Sequence, residues 1–320
     1  MNYSITIPKM QDKIINKLMQ NEWNEYGIIN ECVRGFGGLK NPNRIKIYQH
    51  ILHAEKIQDP AKESKSHYQI TLDVKRTYGR LLNEEDSTRQ KERLLKILDG
   101  IFVLHPEFKY YQGFHDIVSY LLFTSEDDEL ILGVSERLAT LRFRQSLFDF
   151  NEALSGGKKA LKTVSSIDPD LSNALEEAGC DAMFAFPWYI TWFLHSVENI
   201  EVGLRLLDFF ICTSDQDLIN FISSMIISSR EAIFALPEIE YGAIHIYFTG
   251  APSRFTVNDV QRLINMSMYL KSGNCSLSYF LAISSSPYEL TIDPNSLLYI
   301  RILIVIMLLC HILMLYCSKN

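Results

Sequence analysis

Hydrophobic residues recur every three or four positions along most of this 320-residue chain, and that spacing predicts an all-α fold. Two stretches show the pattern most clearly. Between residues 88 and 104, one helical face carries Leu94, Leu98, Ile101 and Phe102. Further on, the positions i, i+3, i+4, i+7 and i+8 are Phe114, Ile117, Val118, Leu121 and Leu122. His105-Pro106 separates the two predicted helices, because proline cannot continue a helix.

The same spacing predicts the other elements of the chain. We expect helices over 44–52, 130–141, 153–164, 170–178, 202–212, 216–228 and 257–269, a short structured element over 68–78, and an apolar, aromatic segment over 183–197 that completes the helical set. Alternation of apolar and polar residues, which is typical of strands, is rare, and Ile244 to Phe248 is the exception. The pattern predicts a polar lead over 1–30, a domain over 31–252, a helix and linker over 253–295, and an apolar segment over 297–317.

The apolar segment over 297–317 has the length of a membrane-spanning helix. A span needs about 20 residues, and only Arg301 and His311 interrupt this one. Arg301 lies one turn inside the expected start, where its side chain can reach the lipid headgroups. A buried core helix is the alternative. We expect a single transmembrane helix that anchors the chain by its tail.

Charge and small motifs exclude several kinds of function. A formal net charge of −7 argues against nucleic acid as a partner. Gly156-Gly157-Lys158-Lys159 lacks the spacing and the Ser or Thr of a nucleotide-binding P-loop. The six cysteines form neither a disulfide framework nor a zinc spacing, and His50 and His53 are more typical of surface histidines than of a metal site. Residues 1–10 have no signal-peptide pattern, so we expect a reduced, cytosol-facing chain.

Two short polar motifs interrupt the apolar pattern. In the first, Asp73 and Arg76 lie at i and i+3, where they can pair on one helical turn. Such a pair is most often a surface ion pair worth about 0–1 kcal/mol. In the second, Tyr110-Tyr111-Gln112-Gly113 precedes the helix at Phe114. Gln112 there is either a helix cap or a side chain held out for another molecule, and Gly113 lets the backbone approach a neighbour closely.

Together these motifs resemble those of the TBC domain, the family of Rab GTPase-activating modules. Ile-x-x-Asp-x-x-Arg-Thr at 70–77 and Tyr-x-Gln-Gly at 110–113 are its two signature motifs. The segments 44–52, 186–193 and 205–210 are similar to three further helical segments of the family, with Tyr48 and Leu207 where the family has tryptophan. Gly79 stands where the family often has proline. The resemblance covers about 32 to 250 and implies a multi-helix TBC domain.

The resemblance also implies roles for the residues of both motifs. Arg76 would be an arginine finger and Gln112 a glutamine finger, both supplied in trans to a GTP-bound Rab GTPase. Asp73 would orient Arg76, Tyr110 would pack beside Gln112, and Gly113 would follow it as a supporting residue. GTP and Mg²⁺ would belong to the Rab, so no cofactor or metal of this chain is expected.

With the tail anchor, the chain resembles members of the family that act at the endoplasmic reticulum or early Golgi membrane with the domain in the cytosol. The alternative is a non-catalytic, membrane-anchored scaffold that binds a GTPase without activating it. The presence of both finger residues favours the activator.

Overall fold

The fold of the described residues is helical throughout, as the hydrophobic pattern predicts. The computed structural model describes Gly38, Leu39 and residues 44–79, 81–273 and 276–278, and within them there is no strand. The α-helices of these residues are α1 Arg44–Leu52, α2 His67–Arg76, α3 Glu84–Leu104, α4 Phe114–Leu121, α5 Asp128–Leu141, α6 Asn151–Ile167, α7 Pro169–Glu177, α8 Phe186–Thr191, α9 Ile200–Ile211, α10 Asp215–Ser228, α11 Arg230–Phe234, α12 Tyr241–Gly250 and α13 Val257–Lys271.

Several helices begin at polar caps that carry no hydrophobic signal. The sequence predicts a helix from Thr88, but α3 begins at Glu84, where the side chain of Asn83 accepts a hydrogen bond from the amide of Asp86. The first turn also carries Glu84, Glu85 and Asp86, and their negative charges interact favourably with the positive end of the helix dipole. Helix α10 begins with a capping box in which Ser214 and Asp217 bond each other's backbone amides. The apolar spacing therefore locates the helices, and the caps locate their ends.

The one stretch that fits a strand by its alternation is a helix in the structure. Ile244 and Phe248 are both buried in α12, whereas Ile246 between them is exposed. Residues four apart share a face of a helix, and residues two apart share a face of a strand. A run of five residues satisfies both patterns, so the alternation did not discriminate here.

The aromatic segment 183–197 is broken into short pieces. Helix α8 ends at Thr191, and Trp192 and Phe193 then take left-handed backbone angles, with φ of 51° and 67°. Both side chains are buried, and the Phe193 ring stacks on that of Trp188 at 5.1 Å between centroids. These aromatic side chains therefore belong to the core.

The centre of the core is α10, which packs against α6 and α13. A buried polar cluster around Asp208 joins the start of the described chain to α9. The Asp208 carboxylate accepts hydrogen bonds from Arg44 (3.0 Å), from the Tyr48 hydroxyl and from the Leu39 amide (2.7 Å). Tyr48, which is fully buried, thus connects α1 to α9 through its hydroxyl.

The adjacent glycines Gly156 and Gly157 serve helix packing. Both lie inside α6, where a Cβ on Gly156 would meet the Tyr189 ring at 2.3 Å and one on Gly157 would meet Ala182 at 3.0 Å. They allow α6 to approach its neighbours closely, which agrees with the rejection of a P-loop.

No helix of the described residues is both long and apolar enough to cross a membrane. The expected anchor at 297–317, the lead at 1–30 and most of the linker before 295 lie outside the described residues.

Candidate functional site

The arginine of the first motif sits at the exposed end of α2. Basic residues in a last helical turn interact favourably with the helix dipole, and Lys75 and Arg76 occupy that turn. After Thr77, Tyr78 adopts a left-handed backbone angle, with φ of 67°, and its hydroxyl donates to the carbonyl of Ser119 at 3.0 Å. The end of α2 is thereby fastened to α4.

Asp73 connects the two motifs. Its carboxylate is fully buried; one oxygen accepts a hydrogen bond from Arg76 Nη2 at 2.5 Å, and the other accepts one from the Tyr110 hydroxyl at 2.7 Å. Burial, and then the bond to Asp73, raise the pKa of Tyr110, so its hydroxyl remains a donor. The pairing of Asp73 with Arg76 is therefore part of a buried network and is more than a surface ion pair.

Among the described residues, Asp73 alone bonds the Arg76 side chain, and it does so at one nitrogen. That side chain is 64% exposed although its partner carboxylate is buried. A guanidinium has five N–H donors in a planar fork, and Asp73 engages one nitrogen of Arg76. Because most of the side chain is exposed, the remaining donors are accessible to a phosphate or carboxylate of another molecule.

Gln112 is exposed as well. It lies in a loop whose backbone conformation depends on the next residue, Gly113. The cap of α4 is Gly113, with φ of 115° and ψ of −25°, and Gln112 makes no side-chain hydrogen bond to any described residue. A Cβ on Gly113 would lie 2.7 Å from Cγ2 of Thr191. The cap interpretation of Gln112 is therefore wrong, and its carboxamide is free to bind another molecule.

The two tyrosines that precede Gln112 fix this loop to the core. The hydroxyl of Tyr111 donates to the carbonyl of Ile190 at 2.8 Å, and its ring packs edge-on against Phe114 and Phe150. Tyr110 packs against Phe102 and bonds Asp73. Gln112 thus extends from a short segment that is anchored at two points.

Sequence reasoning missed three residues beside the site. Nδ1 of His115 lies 3.0 Å from the Tyr110 hydroxyl and 3.3 Å from the Gly113 amide nitrogen, and its Nε2 lies 3.3 Å from Asp116. The other oxygen of Asp116 lies 2.8 Å from Nδ1 of His195, which is half-exposed. The hydrogen bond to Asp116 raises the pKa of His195. His115 and Asp116 directly follow the second motif and could have been noticed, but nothing in the sequence relates His195 to them.

This arrangement is suited to acting on a molecule outside the domain. A forked cation and a free carboxamide, both exposed, are supported from beneath by a shared buried network. Such groups can neutralise phosphate charge and orient a water molecule.

Comparisons with known proteins identify the family and the fold of this chain. The family model for the Rab-GTPase-TBC domain matches residues 39–234. The GTPase-activating protein gyp10 of Schizosaccharomyces pombe is 32% identical over 199 residues, which are 60% of this chain and 52% of that protein. TBC1 domain family member 20 of Homo sapiens is 27% identical over 232 residues, which are 68% of this chain and 56% of that protein. The chain thus spans about half the length of the curated relatives it matches.

Solved structures share the fold. The Ypt/Rab-GAP domain of Gyp1p superposes with a TM-score of 0.69 at 13% identity, over 84% of this chain and 99% of that one. The Chlamydomonas flagellar RabGAP TBC domain gives a TM-score of 0.56 at 15% identity, over 83% of this chain and 95% of that one. Because the family model matches most of the described helices together with both motifs, this chain belongs to the Rab-GTPase-TBC domain family.

Proposed function

We propose that this protein is a GTPase-activating protein for Rab-family GTPases, with Arg76 as an arginine finger and Gln112 as a glutamine finger. The observation that carries the proposal is the pair of exposed side chains held by one buried network through Asp73 and Tyr110. In phosphoryl transfer to water, Arg76 would neutralise charge on the γ-phosphate oxygens and Gln112 would orient the attacking water. GTP and Mg²⁺ would be held by the Rab, and this chain would need no cofactor.

An exposed apolar stripe beside Arg76 supports a protein partner. Tyr68, Leu72 and Arg76 are four residues apart on α2 and lie on one face, and Tyr68 is 76% exposed. Each step of four residues spans about 6 Å along a helix. A partner that receives Arg76 in its nucleotide site would therefore also cover Leu72 and Tyr68. An apolar surface that is buried only in the complex is what such docking requires.

The decisive experiment measures phosphate release from a panel of GTP-loaded Rabs of the early secretory pathway, with the 320-residue chain kept in detergent. The chain should accelerate hydrolysis by at least one Rab. Arg76→Ala should remove most of the acceleration, since an arginine finger contributes roughly 10³–10⁵ in kcat. Gln112→Ala should also remove most of it. Arg89→Ala is the matched control, because Arg89 is an exposed arginine that pairs with Glu126 at 3.1 Å, outside the network.

The outcomes separate activator from scaffold. Tight binding of GTP-loaded Rab without faster hydrolysis would indicate the non-catalytic alternative. Acceleration that survives both finger substitutions would show that other groups perform the chemistry. The Arg89→Ala variant should behave as wild type in either case, and a loss there would point to a general defect in the domain.

We further propose that residues 297–317 anchor the protein in the endoplasmic reticulum or early Golgi membrane, with the helical domain in the cytosol. The support is the length and apolar character of that segment. A glycosylation acceptor appended after Asn320 should then acquire sugar, whereas the sequons at Asn265 and Asn274 should not. Asn265 is the weaker reporter of the two, because Met266 and Ser267 beside it are buried in α13. Sugar at Asn274 would contradict the orientation.

A further inference from the structure

A chain of polar contacts runs from the protein surface to the supports of both finger residues. It begins at half-exposed His195, whose Nδ1 lies 2.8 Å from Asp116. Asp116 lies 3.3 Å from Nε2 of His115, a side chain that is almost completely buried. Nδ1 of His115 then faces Gly113 N and the Tyr110 hydroxyl, and Tyr110 bonds Asp73. No step of the finger chemistry uses the two histidines or Asp116.

The donors and acceptors along this chain specify one tautomer of His115. The Gly113 amide can only donate, so the Nδ1 that accepts from it carries no proton. The ring proton of His115 is then on Nε2, the nitrogen that lies 3.3 Å from an Asp116 oxygen. The hydroxyl proton of Tyr110 goes to the carboxylate of Asp73, which is both closer and charged. No hydrogen then lies between the Tyr110 oxygen and Nδ1, so the His115 ring restrains Tyr110 by contact and not by a hydrogen bond.

The bond to the Gly113 amide bears directly on Gln112. That N–H belongs to the peptide unit joining Gln112 to Gly113, so His115 restrains the backbone from which the glutamine side chain extends. The same ring lies against the hydroxyl that holds Asp73, and Asp73 holds Arg76. One imidazole therefore contacts the supports of both fingers.

We propose that His115, Asp116 and His195 are positioning residues for Gln112 and Arg76: Asp116 and His195 fix the tautomer and orientation of the His115 ring, which fixes the Gln112 backbone and the Tyr110–Asp73 bond. This inference rests on the proposed GTPase-activating function. Ionised Asp116 attracts the Nε2 proton of His115, and His195 holds the second oxygen of that carboxylate. Asp73 and Arg76 are the other charged groups that act on His195.

The test uses substitutions that preserve shape. Asp116→Asn keeps the size of the side chain but turns one oxygen into a donor that faces a histidine N–H. His195→Asn keeps an amide donor near the place of Nδ1, whereas His195→Ala removes it. His105→Gln is the matched control, because His105 bonds Glu136 at 2.7 Å in a similar histidine–carboxylate pair outside the chain.

Each variant of the 320-residue chain is assayed for kcat and KM with a responsive Rab and for its unfolding midpoint in urea. Asp116→Asn should lower kcat by about 10- to 100-fold, the loss expected when a reacting group is misplaced by up to about 1 Å. Its KM should change by less than about threefold, because docking contacts remain. His195→Ala should lower kcat in the same direction, and His195→Asn should restore most of it. His105→Gln should leave kcat unchanged.

A double-mutant cycle separates positioning from general destabilisation. If Asp116 acts through Gln112, Asp116→Asn should cost several-fold less in a Gln112→Ala background than in wild type, since interacting residues are not additive. A kcat for Asp116→Asn and His195→Ala equal to that of wild type would overturn the inference. Equal losses in both backgrounds, with a matching fall in the urea midpoint, would overturn it too.

A spectroscopic measurement tests the chain without any GTPase. Nitrogen-15 chemical shifts of the His115 ring should report the Nε2–H tautomer in the wild-type protein, and Asp116→Asn should change that signal. The Nδ1–H tautomer in wild type would overturn the inference even if the domain is an activator. Conversely, if the finger substitutions have no effect on hydrolysis but the tautomer is as expected, the proposed function is wrong. The arrangement of His195, Asp116 and His115 is supported in that case.

Discussion

Replacing Gly113 with alanine tests whether the glutamine loop requires its observed backbone shape. Gly113 has φ of 115° and ψ of −25°, a region that residues with a Cβ rarely enter. Holding alanine there costs on the order of 1–3 kcal/mol. The new Cβ would also lie 2.7 Å from Cγ2 of Thr191, and overpacking of this kind costs about 1–3 kcal/mol. The free energy of unfolding should therefore fall by about 2–6 kcal/mol.

Thr191→Ser separates the two contributions. Serine lacks the methyl group that meets the new Cβ but keeps the hydroxyl that donates to the carbonyl of Pro187 at 2.7 Å. Alone it should cost about 1 kcal/mol for the lost methyl. In the double variant with Gly113→Ala, it should restore the part of the unfolding free energy that overpacking removes. The coupling energy should then be about 1–3 kcal/mol, while the cost of the strained backbone remains.

Urea denaturation followed by tryptophan fluorescence measures all four proteins, with Gly79→Ala as the matched control. Gly79 has no atom within 4 Å of the position of its Cβ and no left-handed backbone angle. That substitution should be neutral or stabilise the fold by about 0.4–1 kcal/mol through the unfolded chain. If Gly113→Ala unfolds within about 0.5 kcal/mol of wild type, the loop does not require this conformation, and the account of how Gln112 is held is refuted.

Three further substitutions test the fold, the site and the docking surface. Asp208→Ala should destabilise the domain by about 3–5 kcal/mol in urea, because it leaves the part-buried charge of Arg44 unpaired; a change below about 1 kcal/mol would contradict this. His195 has a raised pKa in the folded state, so its bond to Asp116 stabilises the fold at acid pH, and that stabilisation is lost as pH rises through the folded pKa. His195→Gln should therefore lower the urea midpoint more at about pH 5.5 than at about pH 8.5, and the reverse order would be inconsistent with the shift. Tyr68→Ala should raise KM for the Rab several-fold with kcat near that of wild type, and a pure kcat effect would rule out a docking role.

The apolar pattern was sufficient to locate most helices, because the spacing that predicts a helix involves only residues close in sequence. Residues three and four apart in sequence share a helical face, so Phe114, Ile117 and Val118 predict a buried face that the structure confirms. The pattern failed where two periods overlap, as at Ile244 to Phe248, and where tertiary packing breaks a helix, as at Trp192 and Phe193. In that second case both residues take left-handed backbone angles, and both rings are buried.

The individual motif residues were visible in the sequence, but their environment was not. The spacing of Asp73 and Arg76 is typical of an ordinary surface ion pair. Only the fold buries Asp73 and brings the Tyr110 hydroxyl to the second oxygen of the Asp73 carboxylate. By its place in the sequence, Gln112 could be the N-cap of α4, and only the structure shows that Gly113 is the N-cap.

By itself, the sequence determined the helical class, the approximate position of most helices and the presence of two polar motifs, because each depends on residues within a few turns of one another. The tertiary structure decided which polar groups are buried and which face outward. It placed Thr191 against Gly113 and His195 against Asp116, a pair separated by 79 positions in the chain. Such contacts depend on how helices pack, and no local pattern encodes them. Arg76 and Gln112 are thus recognisable from sequence, and the network that supports them follows from the fold alone.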